Sequence, residues 1–239
     1  MSTLTLVRHG QASYMSEEYD KLSRLGEEQS RRLGQFWARH QITFDRVFCG
    51  PAQRHIRTME IAADQVRKAG LPWPEPEALG ELDEFDAYQV MKRFVPVLIE
   101  RDPSVRELWA EFTAGQQSPE AGRLLQKTFE EVARHWSYGE INVPEVETWQ
   151  QFRERIGRAL DRIRERTGKG AWSVAFTSGG PIAATVSHVL ELAPKKAIEL
   201  LWLSRNCSWS EFYFSGDRFS MGAFNAFPHL DQRELLTYR

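Results

Sequence analysis

Apolar and polar positions along this chain switch between a period of about two and a period of about 3.6, and the switches outline its elements. Thr3 to Val7 is β-rich, and Leu4, Leu6 and Val7 predict a strand buried on both faces, as in a parallel sheet covered by helices. Gly10 ends it. After a polar loop, Ser23 can cap a helix running to about His40, in which Leu33, Phe36, Trp37 and His40 recur at helical spacing above a charged outer face. Phe44 to Cys49 predicts a second short strand. Gly50-Pro51 then turns the chain into a helix to about Ala69, with the proline near the first helical position and Gly70 closing it. A proline cluster, Pro72, Pro74 and Pro76, carries an extended connection to the segment Leu79 to Asp86.

From about Ala87 to Trp136 the pattern is mixed helical without clear strands and reads as an inserted helical cap. Trp149 to Thr167 is strongly amphipathic, with Phe152, Ile156, Leu160 and Ile163 on one stripe. Its arginines, Arg153, Arg155, Arg158, Arg162, Arg164 and Arg166, interleave with Glu154, Asp161 and Glu165. That predicts a solvated face laced with i,i+4 pairs rather than a nucleic-acid patch. Ala171 to Thr177 predicts a third strand and Pro181 to Leu192 the following helix. Trp209 to Phe214 and Phe219 to Phe224 predict two late strands joined at Gly216-Asp217. Alternating strands and helices imply an α/β fold, a three-layer α/β/α sandwich with a mostly parallel central sheet. Residues 1–239 read as one domain with 87–136 as the inserted cap.

Composition narrows the functional classes. At 239 residues and 41% hydrophobic the chain supports a sizeable core, and 31 Lys plus Arg against 33 Asp plus Glu leave a net charge of −2. No global field recruits nucleic acid or an anionic membrane, so any anion site must be built locally. The two cysteines, Cys49 and Cys207, are too few for a disulfide framework or a cysteine zinc site. They read as small buried hydrophobes in a reducing, cytoplasmic compartment. The first ten residues lack a basic leader and do not read as a secretory signal. Ala171 to Leu190 is twenty residues without Asp, Glu, Lys or Arg, the length of a membrane span. Thr177-Ser178-Gly179-Gly180-Pro181 breaks it at its centre, so strand, tight loop and helix fit better. Apolar residues between Trp209 and Phe224, if exposed, offer a surface for a homodimer.

Three predicted strands each run into a polar or glycine-rich turn: Arg8-His9-Gly10, Gly50-Pro51-Ala52-Gln53-Arg54, and Thr177-Ser178-Gly179-Gly180. In an open α/β sheet these turns meet at the carboxyl ends of the strands. Two guanidiniums, an imidazole, a hydroxyl and helix N-terminal N–H groups would converge there, an environment for a dianionic phosphate. No metal-ligand set accompanies them, and no cofactor is implied. An imidazole with a reference pKa of ~6.5 presents a free lone pair near neutrality, so His9 can attack phosphorus. Arg8 beside it opposes protonation of the ring and can bind the phosphoryl oxygens. Gly10 lets the backbone pass close to the ring, where a carbonyl can fix the tautomer. His40, His135 and His229 belong to no such constellation.

Leu6-Val7-Arg8-His9-Gly10-Gln11 resembles the signature of the histidine phosphatase superfamily, the phosphoglycerate mutase-like proteins, in which the histidine is transiently phosphorylated. Cys49 to Thr58 resembles the family's Ser-Ser-Pro-x-x-Arg-x-x-Gln-Thr segment, with Arg54 at its second phosphate-binding arginine. Leu82-Asp83-Glu84-Phe85-Asp86 resembles its Leu-x-Glu segment. Asn206-Cys207-Ser208 and Asn225 to Leu230 resemble its closing elements. The resemblance implies a phosphatase acting on a small-molecule phosphomonoester, or alternatively a mutase or a catalytically degenerate phospho-ligand binding module.

It further implies that Glu84 protonates the leaving alkoxide and then activates water, with Glu81 competing for that role. Arg57, one turn after Arg54, lies on the same helical face and is a further phosphate-binding candidate, as are Gly10, Ser178 and Gly179. The chain departs from the family at Ser178. Thr177-Ser178-Gly179-Gly180 stands where the family has Ser-His-Gly-Gly, whose histidine donates to the phosphoryl group. His188 lies ten residues along the next helix, ~15 Å away, and cannot substitute. His55 and Arg57 are the candidates for compensation. Substrate choice falls to the cap, where Arg93, Arg101 and Arg106 can meet an anionic substrate.

Overall fold

A computed structural model describes residues 1–13, 20–141 and 143–238. The polar loop expected ahead of Ser23 falls partly at 14–19, outside the described residues. Six strands form one sheet: β1 (Ser2–Arg8), β2 (Arg46–Cys49), β3 (Pro76–Ala78), β4 (Trp172–Thr177), β5 (Trp209–Ser215) and β6 (Arg218–Ala226), in the order β3-β2-β4-β1-β5-β6. β3, β2, β4 and β1 are mutually parallel, whereas β5 and β6 are antiparallel additions.

Both faces of the sheet are covered. Val7, Val47, Val174 and Phe176 pack with Leu33 and Trp37 of α1 (Arg24–Arg39) and with Met59, Ala62 and Val66 of α2 (Gln53–Lys68). On the other face Leu4, Leu6, Phe48 and Ala175 pack with Phe152 and Ile156 of α6 (Trp149–Arg166) and Ile182 and Val186 of α7 (Gly179–Val189). That second core continues into α3 (Ala87–Arg101), α4 (Pro103–Ala114), α5 (Ala121–Tyr138) and α8 (Pro194–Leu203) through Phe94, Val105, Trp136 and Ile198. The molecule is therefore a three-layer α/β/α sandwich on a mostly parallel sheet. Ser23 caps α1 by accepting the Gly26 N–H, and Thr148 with Gln151 forms a capping box at α6.

Four local readings differ from the expectation. Pro51 precedes α2 rather than opening it, because Ala52 is the cap and Gln53 the first helical residue. The proline-rich connection contains β3. Pro76 is tolerated there because the strand is short and lies at the sheet edge, where a missing donor costs least. α7 starts at Gly179, two residues before the expected Pro181. All three residues fall among the first four N–H positions, which have no helical partner. α8 was not anticipated. Its signals are Pro194 at the helix start and Ala197, Ile198 and Leu201 recurring at helical spacing.

No helix among the described residues is long and apolar enough to cross a membrane. None of the large apolar side chains that are exposed lies between Trp209 and Phe224; they include Met1, Ile56, Tyr88, Leu203 and Tyr238.

Candidate active site

The carboxyl ends of β1 and β4, adjacent in the sheet, deliver His9 and Ser178 to one cavity of about 270 Å³. Arg8, Arg54, Glu84 and Asn206 line it as well. Phe85, Phe129, Leu201 and Trp202 are among its large apolar lining residues, and Gln126 and Glu130 among its polar ones. A larger depression of about 560 Å³, lined by residues such as Asp161, Arg164 and Gly216, holds none of the candidate residues.

His9 is buried at 7% exposure, and its Nδ1–H donates to the Gly10 carbonyl at 2.7 Å. That bond fixes the tautomer and leaves Nε2 carrying the lone pair. Burial, then the positive charges of Arg54 and Arg8, hold the ring well below the usual imidazole range, so it stays neutral. The contribution of Arg8 was anticipated; the larger ones of burial and Arg54 were not. Gly10 supplies the carbonyl expected to fix the tautomer, and glycine is needed there for a further reason. A Cβ there would lie 2.4 Å from the Gly26 carbonyl oxygen, so glycine lets β1 approach the start of α1. The Gly10 N–H is engaged by Thr58 Oγ1 at 3.0 Å.

The guanidinium of Arg8 donates to the Ser204 carbonyl and, at 2.9 Å, to that of Tyr238. Arg54, in the first turn of α2, donates to Asp20 Oδ1 at 2.6 Å and to Ser178 Oγ at 3.3 Å. Asp20 Oδ2 also accepts the Gln53 N–H at 2.8 Å, so one carboxylate caps α2 and orients its arginine. No motif in the sequence marked Asp20. His55 is fully buried, with Nε2 2.6 Å from Ser178 Oγ and its ring centroid 5.7 Å from that of His9. Burial and Arg54 push it down to about 3. Asn206, also fully buried, accepts the Thr237 hydroxyl on Oδ1 at 2.9 Å, and its Nδ2 has no protein partner. Asn206 thus places an uncommitted amide donor behind the cavity wall, a buried polar group that calls for a partner. Sequence reading gave the Asn206 segment no role of its own.

Glu84 projects from the loop after β3. Its Oε2 accepts the Gly180 N–H at 2.9 Å and its Oε1 the Phe85 N–H at 3.1 Å. Burial raises its pKa above the ordinary carboxyl value, while these hydrogen bonds and the nearby arginines pull the other way. Glu81 points elsewhere, pairing with Arg162 at 3.0 Å. The loop is held from α6. Arg155 donates to the Glu81 and Asp83 carbonyls at 2.8 and 2.9 Å while gripping Glu147 with two bonds of 2.8 Å. Arg155 thus departs from the solvated face expected of the arginines of that helix.

The sequence profile of the histidine phosphatase superfamily (branch 1) matches residues 4–126 and 87–226. The chain belongs to the histidine phosphatase superfamily. A search of curated proteins found no match. Among solved structures, YhfR of Bacillus stearothermophilus is similar at 15% identity and a TM-score of 0.65, covering 97% of this chain and 100% of that one. A phosphoserine phosphatase from Entamoeba histolytica is similar at 16% identity and 0.64, covering 96% and 100%. A phosphoglycerate mutase from Bacillus anthracis is similar at 16% and 0.63, covering 96% and 95%. At these identities the likeness is one of fold.

Several candidate residues of this superfamily member lie outside the pocket. Arg57 is half exposed and pairs with Glu27 at 3.2 Å and Glu60 at 3.5 Å. Gly10 and Gly179 are buried but are not lining residues. Arg93 pairs with Glu145, Arg106 donates to the Ile99 and Glu100 carbonyls, and neither these nor Arg101 lines the cavity. From α3–α5 the cavity instead receives Ala87, Gln126, Phe129 and Glu130. His188 is exposed near the end of α7, and His229 stacks on Trp209 at 5.3 Å, outside the cavity. Cys49 and Cys207 are free and buried. Desolvation pushes the Cys49 thiol up to about 12 and Cys207 higher still.

Proposed function

We propose that this histidine phosphatase superfamily member is a phosphomonoesterase that works through a phosphohistidine on His9 without a metal ion. The observation carrying the reading is the tautomer of His9. With Nδ1–H committed to the Gly10 carbonyl, a neutral ring lining the cavity has its lone pair on Nε2 beside two permanent cations. Nε2 attacks phosphorus as the ester P–O bond breaks. Arg8 and Arg54 balance the charge on the phosphoryl oxygens, and Glu84 gives its proton to the departing alkoxide. The Glu84 carboxylate then takes a proton from water, whose oxygen attacks phosphorus and releases phosphate and the free imidazole. The raised pKa of Glu84 and the depressed pKa of His9 keep an acid and a nucleophile available together.

The phosphoserine phosphatase among the similar structures supports hydrolysis as the reaction class. The apolar walls of Phe85, Phe129, Leu201 and Trp202 favour an alcohol carrying hydrophobic or aromatic surface. Glu130 and the absence of further cations among the described lining residues disfavour a second anion.

The test is hydrolysis of an aryl phosphate in excess EDTA by the native chain and by His9→Ala. Turnover by the native chain alone, with a labelled phosphoryl group trapped on His9 after rapid quenching, is expected. Equal rates for the two proteins sink the reading. Ser178, where the resemblance leads to the expectation of a histidine, motivates one rival, a phospho-ligand binding module. That rival requires phosphate to stabilise a native chain that never turns over.

A further inference from the structure

Ser178 stands where the family resemblance leads to the expectation of a histidine, yet the site holds a second imidazole beside His9. It arrives from α2. His55 sits one residue after Arg54, is fully buried, and brings Nε2 to 2.6 Å from Ser178 Oγ. Which atom donates in this contact follows from counting hydrogens. Nδ1 of His55 is buried without a partner. A proton on Nδ1 would strand an N–H donor, whereas a proton on Nε2 leaves Nδ1 with only a lone pair, the less costly omission. Nε2–H therefore donates to Ser178 Oγ. Arg54 Nη2, which can only donate, reaches the same oxygen at 3.3 Å. A serine hydroxyl has two acceptor sites and one hydrogen. With both acceptor sites taken, the hydrogen has to point away from His55 and Arg54, and Ser178 lines the cavity that His9 also lines.

We propose that the Ser178 hydroxyl, aimed and polarised by His55 and Arg54, is a hydrogen-bond donor to a phosphoryl oxygen. Ser178 touches the substrate; His55 is a positioning residue acting through it. This rests on the reading of the cavity as a phosphoryl-transfer site. Two donors on one oxygen strengthen the third bond it makes. The arrangement supplies a neutral donor whose hydrogen is present at every working pH.

The experiment is steady-state hydrolysis of p-nitrophenyl phosphate by the full chain, with the thermal midpoint of each variant. Ser178→Ala is expected to lower kcat about a hundredfold with KM little changed, the usual cost of one preorganised donor. His55→Leu is expected to lose about tenfold or more, and Ser178→Ala with His55→Leu no more than Ser178→Ala alone, since the two act in series. His55→Gln, whose amide can still donate to Oγ, is expected to recover most of the loss. Native kcat in Ser178→Ala, or losses that add in the double variant, overturn the proposal. Should His55→Leu fail to fold, the imidazole nitrogen-15 shifts of the native chain decide, because a proton on Nδ1 of His55 overturns it.

If the native chain turns over no ester, the phosphatase reading fails separately. Calorimetry with inorganic phosphate then tests the donor. Binding about tenfold weaker in Ser178→Ala supports it, and equal binding refutes it.

Discussion

Gly180 donates its backbone N–H to Glu84 at 2.9 Å, so the first turn of α7 holds a carboxyl group that lines the same cavity as His9. A Cβ at position 180 would lie 1.9 Å from Glu84 Oε1, so only glycine lets the two meet. Gly180→Ala is therefore expected to displace the carboxyl and behave as a milder Glu84→Gln. Both should be judged on two esters. General acid catalysis is worth about 10² to 10⁴ in rate and matters most when the leaving group is a poor one. Each variant should lose far more activity on an alkyl phosphate than on p-nitrophenyl phosphate. Equal losses on the two esters would remove Glu84 from the role of acid.

Three histidines, His9, His55 and His229, are buried and neutral, each held below the ordinary imidazole range chiefly by desolvation. The unfolded chain protonates them near pH ~6.5 and the native chain does not, so stability falls as pH drops below that value. For His55 and His229 the loss continues down to about 3, where the native rings charge. Each contributes about 1.4 kcal/mol per pH unit within its window. Glu84 has the opposite sign, because its raised native pKa withdraws stability as pH climbs above the ordinary carboxyl value. The net expectation is a urea midpoint that falls steadily between pH 6.5 and 5. His229→Phe, which keeps an aromatic ring against Trp209, should flatten that slope by about one proton while leaving turnover unchanged. An unflattened slope would mean that His229 is charged in the native state.

The two arginines a helical turn apart on α2 are expected to separate sharply. Arg54 lines the cavity and touches Ser178, whereas Arg57 makes exposed pairs with Glu27 and Glu60. Exposed pairs contribute about 0 to 1 kcal/mol, so Arg57→Ala should be nearly silent in kcat and stability. Arg54→Ala should lower kcat about a hundredfold or more. A large kinetic effect of Arg57→Ala would mean that its side chain swings into the pocket when substrate binds.

What the sequence disclosed depended on how local the cause was. The strand ending at Arg8 and the cap at Ser23 are set by neighbours in the chain, and both were readable. Arg8, His9, Arg54 and Ser178 were readable because each sits in or beside a turn following a strand, and turns at the carboxyl ends of parallel strands must meet, whereas Glu84 was readable only through the resemblance of its Leu-x-Glu segment. Asp20 and Arg155 were not, since nothing near them in sequence marks a partner, and their roles arise when distant segments pack. His135 is similar. It lies in an ordinary amphipathic helix, yet contacts Asp102 at 2.7 Å and Glu140 at 2.9 Å because α4 starts beside the end of α5. Helical periodicity put Arg54 and Arg57 on one face, but it could not say that the cavity ends between them.

Asp20 supplies the last expectation. Its carboxylate lies 2.6 Å from Arg54, so an incoming dianion must share that guanidinium with a negative charge already in place. Asp20→Asn keeps an oxygen that can accept from Gln53 or Arg54 but removes the charge that opposes the phosphate. Inorganic phosphate is expected to inhibit Asp20→Asn several-fold more tightly than the native chain, a gain that shrinks with added salt because Asp20 is partly exposed. Turnover should not rise in step, since tighter binding of ground state and product alike lowers KM without lowering the barrier from the bound complex. Competitive inhibition by phosphate at two ionic strengths measures both effects. Weaker inhibition of Asp20→Asn would show that Asp20 matters more for holding Arg54 in place than for the charge it sets against the ligand.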